Sequence, residues 1–367
     1  MDSKIKLKKF GYDVFFETNR KKMGLGDFSV ARIIAEHKGA YVAVNEHGEF
    51  FAKVTGKKMF DAVSREDYPA VGDWVAITEH DAETATIHAI LPRRTIIKRK
   101  YGDKNRSGEK MEIQIIGTNI DVAFVVESTD RDYNLNRFER YFTLAKDGGV
   151  TPAIVLNKTD LIPKEELDSI LVAIKKRFPA TLVVPTSVVN EEGLHELKTH
   201  ILPGKTYCFL GSSGVGKSSL INTLIGEDLI KTGTVSSYSD RGMHVTTSRE
   251  MYFLENGGIV IDNPGMREVG MTDTKTGVED LFDEIITLTK NCRYTNCKHI
   301  QEPDCAVTAA VRSGTLNEDK YNNYIRLKKE ATYSEMSSFE KREKDRKFGK
   351  FVKTVKKELK EHGHKDY

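Results

Sequence analysis

The chain has 367 residues, of which 39% are hydrophobic and 30% are charged. This length exceeds what one ordinary hydrophobic core holds, so two or three domains of a well-packed protein are expected. The sequence has no run of about eighteen apolar residues, so no membrane span is expected. Residues 1–10 are lysine-rich but lack the apolar core of a signal peptide, which predicts a cytoplasmic location.

The formal net charge is only +3, but the basic residues are unevenly distributed. Between Lys341 and Lys360 there are ten Lys or Arg residues against three acidic ones. Such a stretch is either the solvated face of a helix or a surface that binds nucleic-acid phosphates through counterion release. The tail alone leaves both interpretations open.

The first part of the chain has the pattern of a small β-barrel. After a basic N-terminal extension over residues 1–27, residues 28–100 carry about five short strand-like runs punctuated by glycine. This pattern predicts a barrel of the OB type, although an SH3-like barrel has a similar appearance. The polar stretch 101–110 is typical of an exposed loop or linker.

Residues 112–285 alternate between apolar runs and helical patterns. Buried strands that alternate with helices predict an open, mostly parallel α/β sheet. The predicted strands are 122–127, 153–156, 181–184, 206–210 and 258–261, and the predicted helices are 136–146 and 164–177.

The strongest motif is a phosphate-binding loop with the pattern GxxxxGK[ST]. It follows an apolar strand and precedes a helical stretch beginning at Ser219, which is the context such a loop requires. Its glycines let backbone N–H groups face a β-phosphate, and the helix N-terminus adds a favourable dipole. Lys217 is predicted to bridge the β- and γ-phosphates, and Ser218 to bind Mg²⁺. The predicted nucleotide-binding residues of this segment are Gly211, Ser212, Ser213, Gly214, Val215, Gly216, Lys217 and Ser218 of the loop, with Ser219 directly after them.

A second motif, Asn157-Lys158-Thr159-Asp160, distinguishes GTP from ATP. It follows a predicted strand, at the sheet edge where open α/β folds bind ligands. Asp160 can accept hydrogen bonds from both N1–H and the exocyclic amine of guanine, whereas adenine would leave the carboxylate unpaired. Asn157 is predicted to address the other side of the base and Lys158 to pack on its face. Ser187, at the end of another strand, could support the guanine from behind.

A third motif, Asp262-Asn263-Pro264-Gly265, fits the pattern DxxG. Asp262 is predicted to hold Mg²⁺ through water, and the Gly265 amide to sense the γ-phosphate. The irregular stretch 242–247 is typical of a switch loop ordered by γ-phosphate and Mg²⁺. Thr247 is the candidate Mg²⁺ ligand in this loop, with Thr246 as an alternative that the sequence does not exclude.

The motifs stand in an unusual order, because the base-reading elements precede the phosphate loop. A circular permutation keeps such a site intact, since each element needs only its place at the sheet edge. Met266 follows DxxG where many GTPases carry a water-orienting Gln, so slow intrinsic hydrolysis and stimulation by a partner are expected. His244 is the candidate for positioning water, although a lone histidine in a loop is more often merely solvated.

Residues 286–367 are predicted to form a zinc-binding domain with a basic C-terminal helix. The spacing C-x₄-C-x-H-x₅-C supplies three thiolates and an imidazole, a closed tetrahedral set suited to one structural Zn²⁺. The remaining cysteine, Cys208, stands alone in a predicted strand. The four predicted ligands are Cys292, Cys297, His299 and Cys305.

In these motifs the chain resembles the ribosome-small-subunit-dependent GTPase A family, bacterial circularly permuted GTPases of late 30S maturation. The resemblance covers about residues 28–330 and includes Val71-Gly72-Asp73-Trp74-Val75. It implies an OB-fold, a GTPase domain and a zinc domain, contact with the small ribosomal subunit and 16S rRNA, and GTP hydrolysis stimulated by that subunit. A monomer is expected.

The chain departs from that family at a few positions. Met243 and Val245 stand where members usually carry Arg and Thr, Asn263 replaces a commoner Thr, and the 1–27 extension is longer than usual. These differences leave room for a divergent paralogue that acts on another RNA or protein partner. Two rival functions are a P-loop kinase or ATPase, which the Asn157–Asp160 motif disfavours, and a nucleic-acid-binding module with an inert nucleotide site.

Overall fold

The computed structural model describes residues 7–37, 39–56, 64–101, 112–130, 133–226, 250–262, 275–336 and 338–362. The chain forms two compact units, one of residues 1–270 with 276–283 and one of residues 271–275 with 284–367. The predicted fold class is confirmed, because the first unit contains a five-stranded barrel and an α/β sheet and the second carries the Cys₃His cluster. Among the described residues, no helix is long and apolar enough to cross a membrane.

Five strands close into the barrel in the order β1-β2-β3-β5-β4, with β4 pairing back onto β1. The parallel pairing of β3 with β5 gives the Greek-key connectivity of an OB-type barrel. Alternate residues face inward, and Ile33, Phe50, Val75 and Ile77 are almost fully buried there. The strands are β1 (Ser29–His37), β2 (Ala40–Val44), β3 (Glu49–Val54), β4 (Trp74–Glu79) and β5 (Thr84–Ile90).

The segment before the barrel is part of the folded core. Helix α1 (Val14–Lys22) begins at Asp13, whose side chain accepts a hydrogen bond from the Phe15 amide. The ring centroids of Tyr12 and Trp74 are 4.7 Å apart in an edge-on arrangement, and those of Phe16 and Trp74 are 5.9 Å apart. Residues 7–22 therefore pack on the barrel rather than extend from it.

A two-stranded sheet of β6 (Ile96–Tyr101) and β7 (Glu112–Thr118) follows the barrel, and the α/β sheet then begins. Its order is β10-β9-β8-β11-β13-β12, with the first five strands parallel and β12 antiparallel to β13. Residues Ala35 and Glu250 pair β1 with β12, so the barrel and the α/β sheet are hydrogen-bonded together. The strands are β8 (Val122–Ser128), β9 (Thr151–Asn157), β10 (Val183–Pro185), β11 (Thr206–Leu210), β12 (Glu250–Phe253) and β13 (Ile259–Asp262).

The parallel strands are apolar on both faces because helices cover both faces. Helices α2 (Leu135–Asp147) and α3 (Lys164–Arg177) bury Phe138, Phe142 and Ile174 in the cluster that contains Ile154 and Leu156. Helices α4 (Leu194–Thr199) and α5 (Lys217–Ile225) bury Leu197 and Leu220 in the cluster that contains Phe124 and Val155. This is the three-layer arrangement that the alternating pattern predicted.

Helix α6 (Lys275–Leu281) follows, and the second unit is helical. Leu316, Tyr324 and Leu327 are among its buried apolar side chains. Its last helix carries exposed cations, among them Arg342, Arg346, Lys347, Lys350 and Lys353. The helices are α7 (Asp283–Thr289), α8 (Ala306–Arg312), α9 (Glu318–Glu335) and α10 (Ser338–His362).

Candidate nucleotide site and metal cluster

The predicted nucleotide motifs lie at one edge of the α/β sheet. Asn157 and Asp262 are the last residues of β9 and β13, and Gly211 directly follows β11, which lies between them and next to β13. Because these strands are parallel, their carboxyl ends meet at the same edge. Motifs that are far apart in the sequence are thereby brought into one site.

The phosphate loop has the backbone geometry that its glycines permit. Gly211 has a φ of 151° and Gly216 a φ of 95°, values that disfavour any side chain. A Cβ on Gly211 would come within 2.2 Å of the Val126 carbonyl oxygen, and a Cβ on Gly216 within 2.3 Å of Asn157 Nδ2. At both glycines the phosphate loop therefore lies closer to the end of a neighbouring strand than a residue with a side chain would allow.

Lys217 begins α5 and its ammonium group folds back over the loop. Its Nζ donates to the carbonyl oxygens of Gly211 at 2.8 Å and Ser212 at 2.6 Å. Burial lowers the pKa of Lys217 to about 8, and the negative charges of Asp262 and Glu127 oppose that shift. Oxygen atoms and negative charges thus surround the ammonium, and a bound phosphate would have to replace these contacts.

Asn157 connects the base-reading motif to the phosphate loop. Its Nδ2 donates to the Val215 carbonyl oxygen at 2.9 Å, and its Oδ1 accepts from the Thr186 hydroxyl at 3.1 Å. The Thr186 carbonyl oxygen accepts in turn from the amide and the hydroxyl of Thr159, at 3.2 and 3.1 Å. Three loops from three strands are thus fixed around one amide side chain.

The two other predicted base-reading residues also have fixed side chains. The Ser187 hydroxyl donates to Asp160 Oδ1 at 2.6 Å, which orients the carboxylate expected to read guanine. Lys158 adopts the left-handed backbone conformation, with a φ of 62°, and its Nζ lies 3.0 Å from Asp130 Oδ2. Both contacts favour a base pocket that is formed before a nucleotide arrives.

The remaining predicted residues divide into two groups. Ser213 and Gly214 at the tip of the phosphate loop are exposed, and Ser218 and Ser219 in the first turn of α5 are half-buried. His244, Thr246, Thr247, Gly265 and Met266 lie outside the described residues.

Asp130, Glu127 and Arg137 belong to none of the sequence motifs, yet they contact or neighbour the predicted site residues. Asp130 follows β8 and so stands beside a recognisable strand end. Glu127 is a buried acid at the end of an apolar run in β8, and burial of an acid there is the signal that pointed to it.

The four predicted metal ligands form a cluster in the second unit. The Sγ atoms of Cys292, Cys297 and Cys305 and a ring nitrogen of His299 all lie within 4.8 Å of one another. The set could hold a metal ion, and three thiolates with one imidazole match the donor set of closed structural sites.

Hydrogen bonds between side chains and backbone groups shape the loop that carries the cluster. Glu302 accepts from the amides of Lys298, Ile300 and Gln301, and the Tyr321 hydroxyl donates to the His299 carbonyl oxygen at 2.6 Å. His299 itself has a φ of 63°. These contacts fix the turn that presents the imidazole to the three cysteines.

Known proteins resemble the chain over most of its length. A model of the RsgA GTPase family matches residues 90–272. "Small ribosomal subunit biogenesis GTPase RsgA 1" of Bacteroides thetaiotaomicron is 38% identical over 333 residues, 90% of this chain and 91% of that protein. The chain belongs to the RsgA GTPase family. It is therefore a GTP hydrolase.

Other relatives agree with this membership. "Small ribosomal subunit biogenesis GTPase RsgA 2" of Lactiplantibacillus plantarum is 39% identical over 341 residues, 92% of this chain and 93% of that protein. The crystal structure of YjeQ from Thermotoga maritima covers 83% of this chain and 98% of its own, with a TM-score of 0.61 at 23% identity. YloQ, described as a circularly permuted GTPase, covers 85% of this chain and 98% of its own, with a TM-score of 0.60 at 20% identity. These structures support the fold alone.

A model described as ABC transporter also matches, over residues 194–358. That range includes β11, the phosphate loop and α5, an arrangement shared by many nucleotide-binding proteins. It excludes Asn157 and Asp160, which an ATP-binding protein would not need. The RsgA match and the full-length relatives account for the whole permuted domain, so the second match reflects the shared phosphate loop.

Proposed function

We propose that this GTPase acts on the small ribosomal subunit during its maturation, in a subunit-stimulated cycle of GTP hydrolysis. The observation that carries the proposal is the similarity to curated relatives, named above, that are called small ribosomal subunit biogenesis GTPases. The link through Asn157, which joins a guanine-reading motif to a phosphate loop in one site, supports the nucleotide part of the proposal. We further propose a cytoplasmic monomer that makes no use of a membrane.

The site residues are assigned roles by their chemistry. Asp160 reads the guanine edge, Lys158 packs on the base, and the loop amides with Lys217 hold the phosphates. The donor set fits magnesium, because the Ser218 hydroxyl and the Asp262 carboxylate are hard oxygen ligands next to the phosphate loop. Thr247 would complete that set, and Mg²⁺ would neutralise charge on the β- and γ-phosphates. His244 positions the attacking water in this proposal.

We assign the Cys₃His cluster to one structural Zn²⁺. Three thiolates and an imidazole leave no position for substrate, so the ion would stabilise the loop between α7 and α8. The proposed domain limits are a basic N-terminal extension over 1–27, of which residues 7–22 pack on the barrel, then the barrel over 28–100, the GTPase domain over 112–285 and the zinc domain over 286–367.

Two surfaces have the chemistry for contact with 16S rRNA. On β3, Phe51 is 48% exposed and stands two residues before the exposed Lys53, so an aromatic ring and a cation face outward together. On α10, the exposed arginines and lysines form a basic surface suited to phosphates.

The test is GTP hydrolysis with and without purified 30S subunits, with 50S subunits and ATP as controls. We expect slow turnover of GTP alone, a large stimulation by 30S subunits, and little effect of 50S subunits. Turnover that 30S subunits leave unchanged would overturn the ribosomal assignment and point to another RNA or protein activator.

A further inference from the structure

A buried carboxylate lies beside the phosphate loop and has no role in the GTPase motifs. Glu127 belongs to β8, which pairs with β11 next to the loop, and its side chain is 0% exposed. Asp262, at the end of β13 on the opposite side of β11, also acts on Lys217. Asp262 has a predicted metal-binding role, whereas Glu127 would only repel an anionic ligand.

Arg137 also lies beside this carboxylate. Its Nη1 lies 3.4 Å from Glu127 Oε2 and donates to the Ser212 hydroxyl at 3.3 Å. Tyr141, one helical turn further along α2, also lies close to the Ser212 side chain. Residues four apart share one face of a helix, so α2 turns both side chains towards the phosphate loop.

We propose that Arg137 is a positioning residue of the nucleotide site. It neutralises Glu127 and holds Ser212, so that Lys217 is available to an anionic nucleotide. The inference rests on the guanine-nucleotide site proposed above and adds a residue from outside its motifs.

The physical reason is a competition between anions for Lys217. In the structure, Lys217 donates to the Gly211 and Ser212 carbonyl oxygens and is also attracted by Glu127. A bound phosphate must draw the ammonium from these partners. With Arg137 in place, Glu127 keeps a cation when Lys217 moves to the phosphates. Without Arg137, Glu127 would hold Lys217 back and repel the incoming phosphates.

The experiment measures GTP and GDP affinity, and kcat and KM for GTP, in the full chain. The variants are Arg137→Met, Arg137→Lys, Glu127→Gln and the double variant Arg137→Met/Glu127→Gln. Lys176→Met, which removes an exposed cation from α3, is the matched control. Unfolding followed by the fluorescence of the single tryptophan, Trp74, checks that each variant is folded.

We expect Arg137→Met to weaken GTP binding at least about tenfold, and GDP binding less, because GTP carries the larger negative charge. Arg137→Lys keeps the charge with a different reach, so an intermediate loss is expected. Adding Glu127→Gln should restore GTP affinity to within about threefold of the unmodified chain, because the charge that Arg137 balanced is gone. A purely structural role for Arg137 would show no such rescue.

Two results would overturn the inference. One is an Arg137→Met variant that binds GTP within about twofold of the unmodified chain. The other is a folded double variant that binds GTP as weakly as the single one. If Arg137→Met fails to fold, a further double variant, Arg137→Lys/Glu127→Gln, is made, and its GTP affinity compared with that of Arg137→Lys decides the question in the same way. Failure of the unmodified chain to bind GTP would instead refute the proposed function.

Discussion

Replacing Asn157 by alanine removes the side chain that joins the base-reading loop to the phosphate loop. Asn157 is 2% exposed, and its two partners, the Val215 carbonyl and the Thr186 hydroxyl, belong to residues that are 1% and 0% exposed. Water has little access to either partner. A buried polar group left without its partner costs about 1–3 kcal/mol, so the two together predict a loss of about 2–6 kcal/mol.

The loss can be measured as a fall in the free energy of unfolding in urea. Trp74 is the single tryptophan, is fully buried, and belongs to the same apolar cluster as Leu156, next to Asn157. Its fluorescence therefore reports on the unit that contains the site. Asn190→Ala is the matched control, because it deletes the same amide from an exposed position. We expect the control to change stability by less than about 0.5 kcal/mol.

Nucleotide binding gives a second measure of the same variant. Asn157 hydrogen-bonds the phosphate loop at Val215 and the base-reading side of the site at Thr186, and GTP and GDP use both, so the affinities for GTP and GDP should fall together. Asn157→Ala and Asn190→Ala variants of equal stability and equal affinity would refute the idea that this amide holds the site together.

The structure predicts the outcomes of three further perturbations. Gly216→Ala should abolish nucleotide binding, because its Cβ would meet Asn157 Nδ2 at 2.3 Å. Gly226→Ala has a φ of 85° but open space around its Cβ, so it should lose only about 1 kcal/mol of stability and keep its nucleotide affinity. Equal nucleotide affinities of the two variants would contradict this expectation. Cys297→Ser should lower bound zinc measured by elemental analysis, and Cys208→Ala, in β11 outside the cluster, should not; full zinc content in the first variant would count against the metal site. GDP affinity should fall as pH rises from about 7 to about 9, because the pKa of Lys217 in the free site is about 8 and the phosphates bind the protonated lysine. A GDP affinity that stays constant over this range would exclude that linkage.

The sequence predicted the secondary structure of the α/β domain closely. Helix 164–177 and strand 206–210 have the predicted limits, because Pro163 and Pro179 flank the helix and Gly204 and Gly211 flank the strand. The edge strand β10 was placed at 181–184, but it covers 183–185. The Thr181 amide donates to the Phe178 carbonyl oxygen, so that residue still belongs to the turn after α3. Local hydrogen bonds of this kind are not visible in an apolar pattern.

The parts of the candidate site that belong to a sequence motif were predictable, whereas the parts that tertiary packing brings together were not. Glycine positions and the Asp160 carboxylate follow from the chemistry of phosphate and guanine recognition. Thr186 and Arg137 reach the site only because β9 and β10 are neighbours and α2 lies along β8 and β9. Pairings between distant segments set these contacts, and one sequence does not encode them in any local pattern.

The N-terminal segment illustrates the same limit. Its lysines and arginines made it resemble an appended basic extension, yet Tyr12 and Phe16 pack against Trp74. Arg32 on β1 is buried and donates to the Phe10 carbonyl oxygen and, at 2.8 Å, to the Thr206 hydroxyl. It thereby connects the N-terminal segment to the strand that leads into the phosphate loop. A charged residue inside a strand gave little indication of this role.

The most direct test of a guanine-specific, subunit-stimulated GTPase is a change of nucleotide in Asp160→Asn. Asparagine offers an amide donor where the carboxylate accepted from guanine, so this variant should lose GTP and accept xanthosine triphosphate, whose base carries an oxygen at that position. We predict that 30S subunits stimulate hydrolysis of xanthosine triphosphate, and not of GTP, by Asp160→Asn, with the reverse preference in the unmodified chain. Stimulated GTP hydrolysis that persists in the variant would contradict the assignment of Asp160 and attribute the turnover to another enzyme in the subunit preparation.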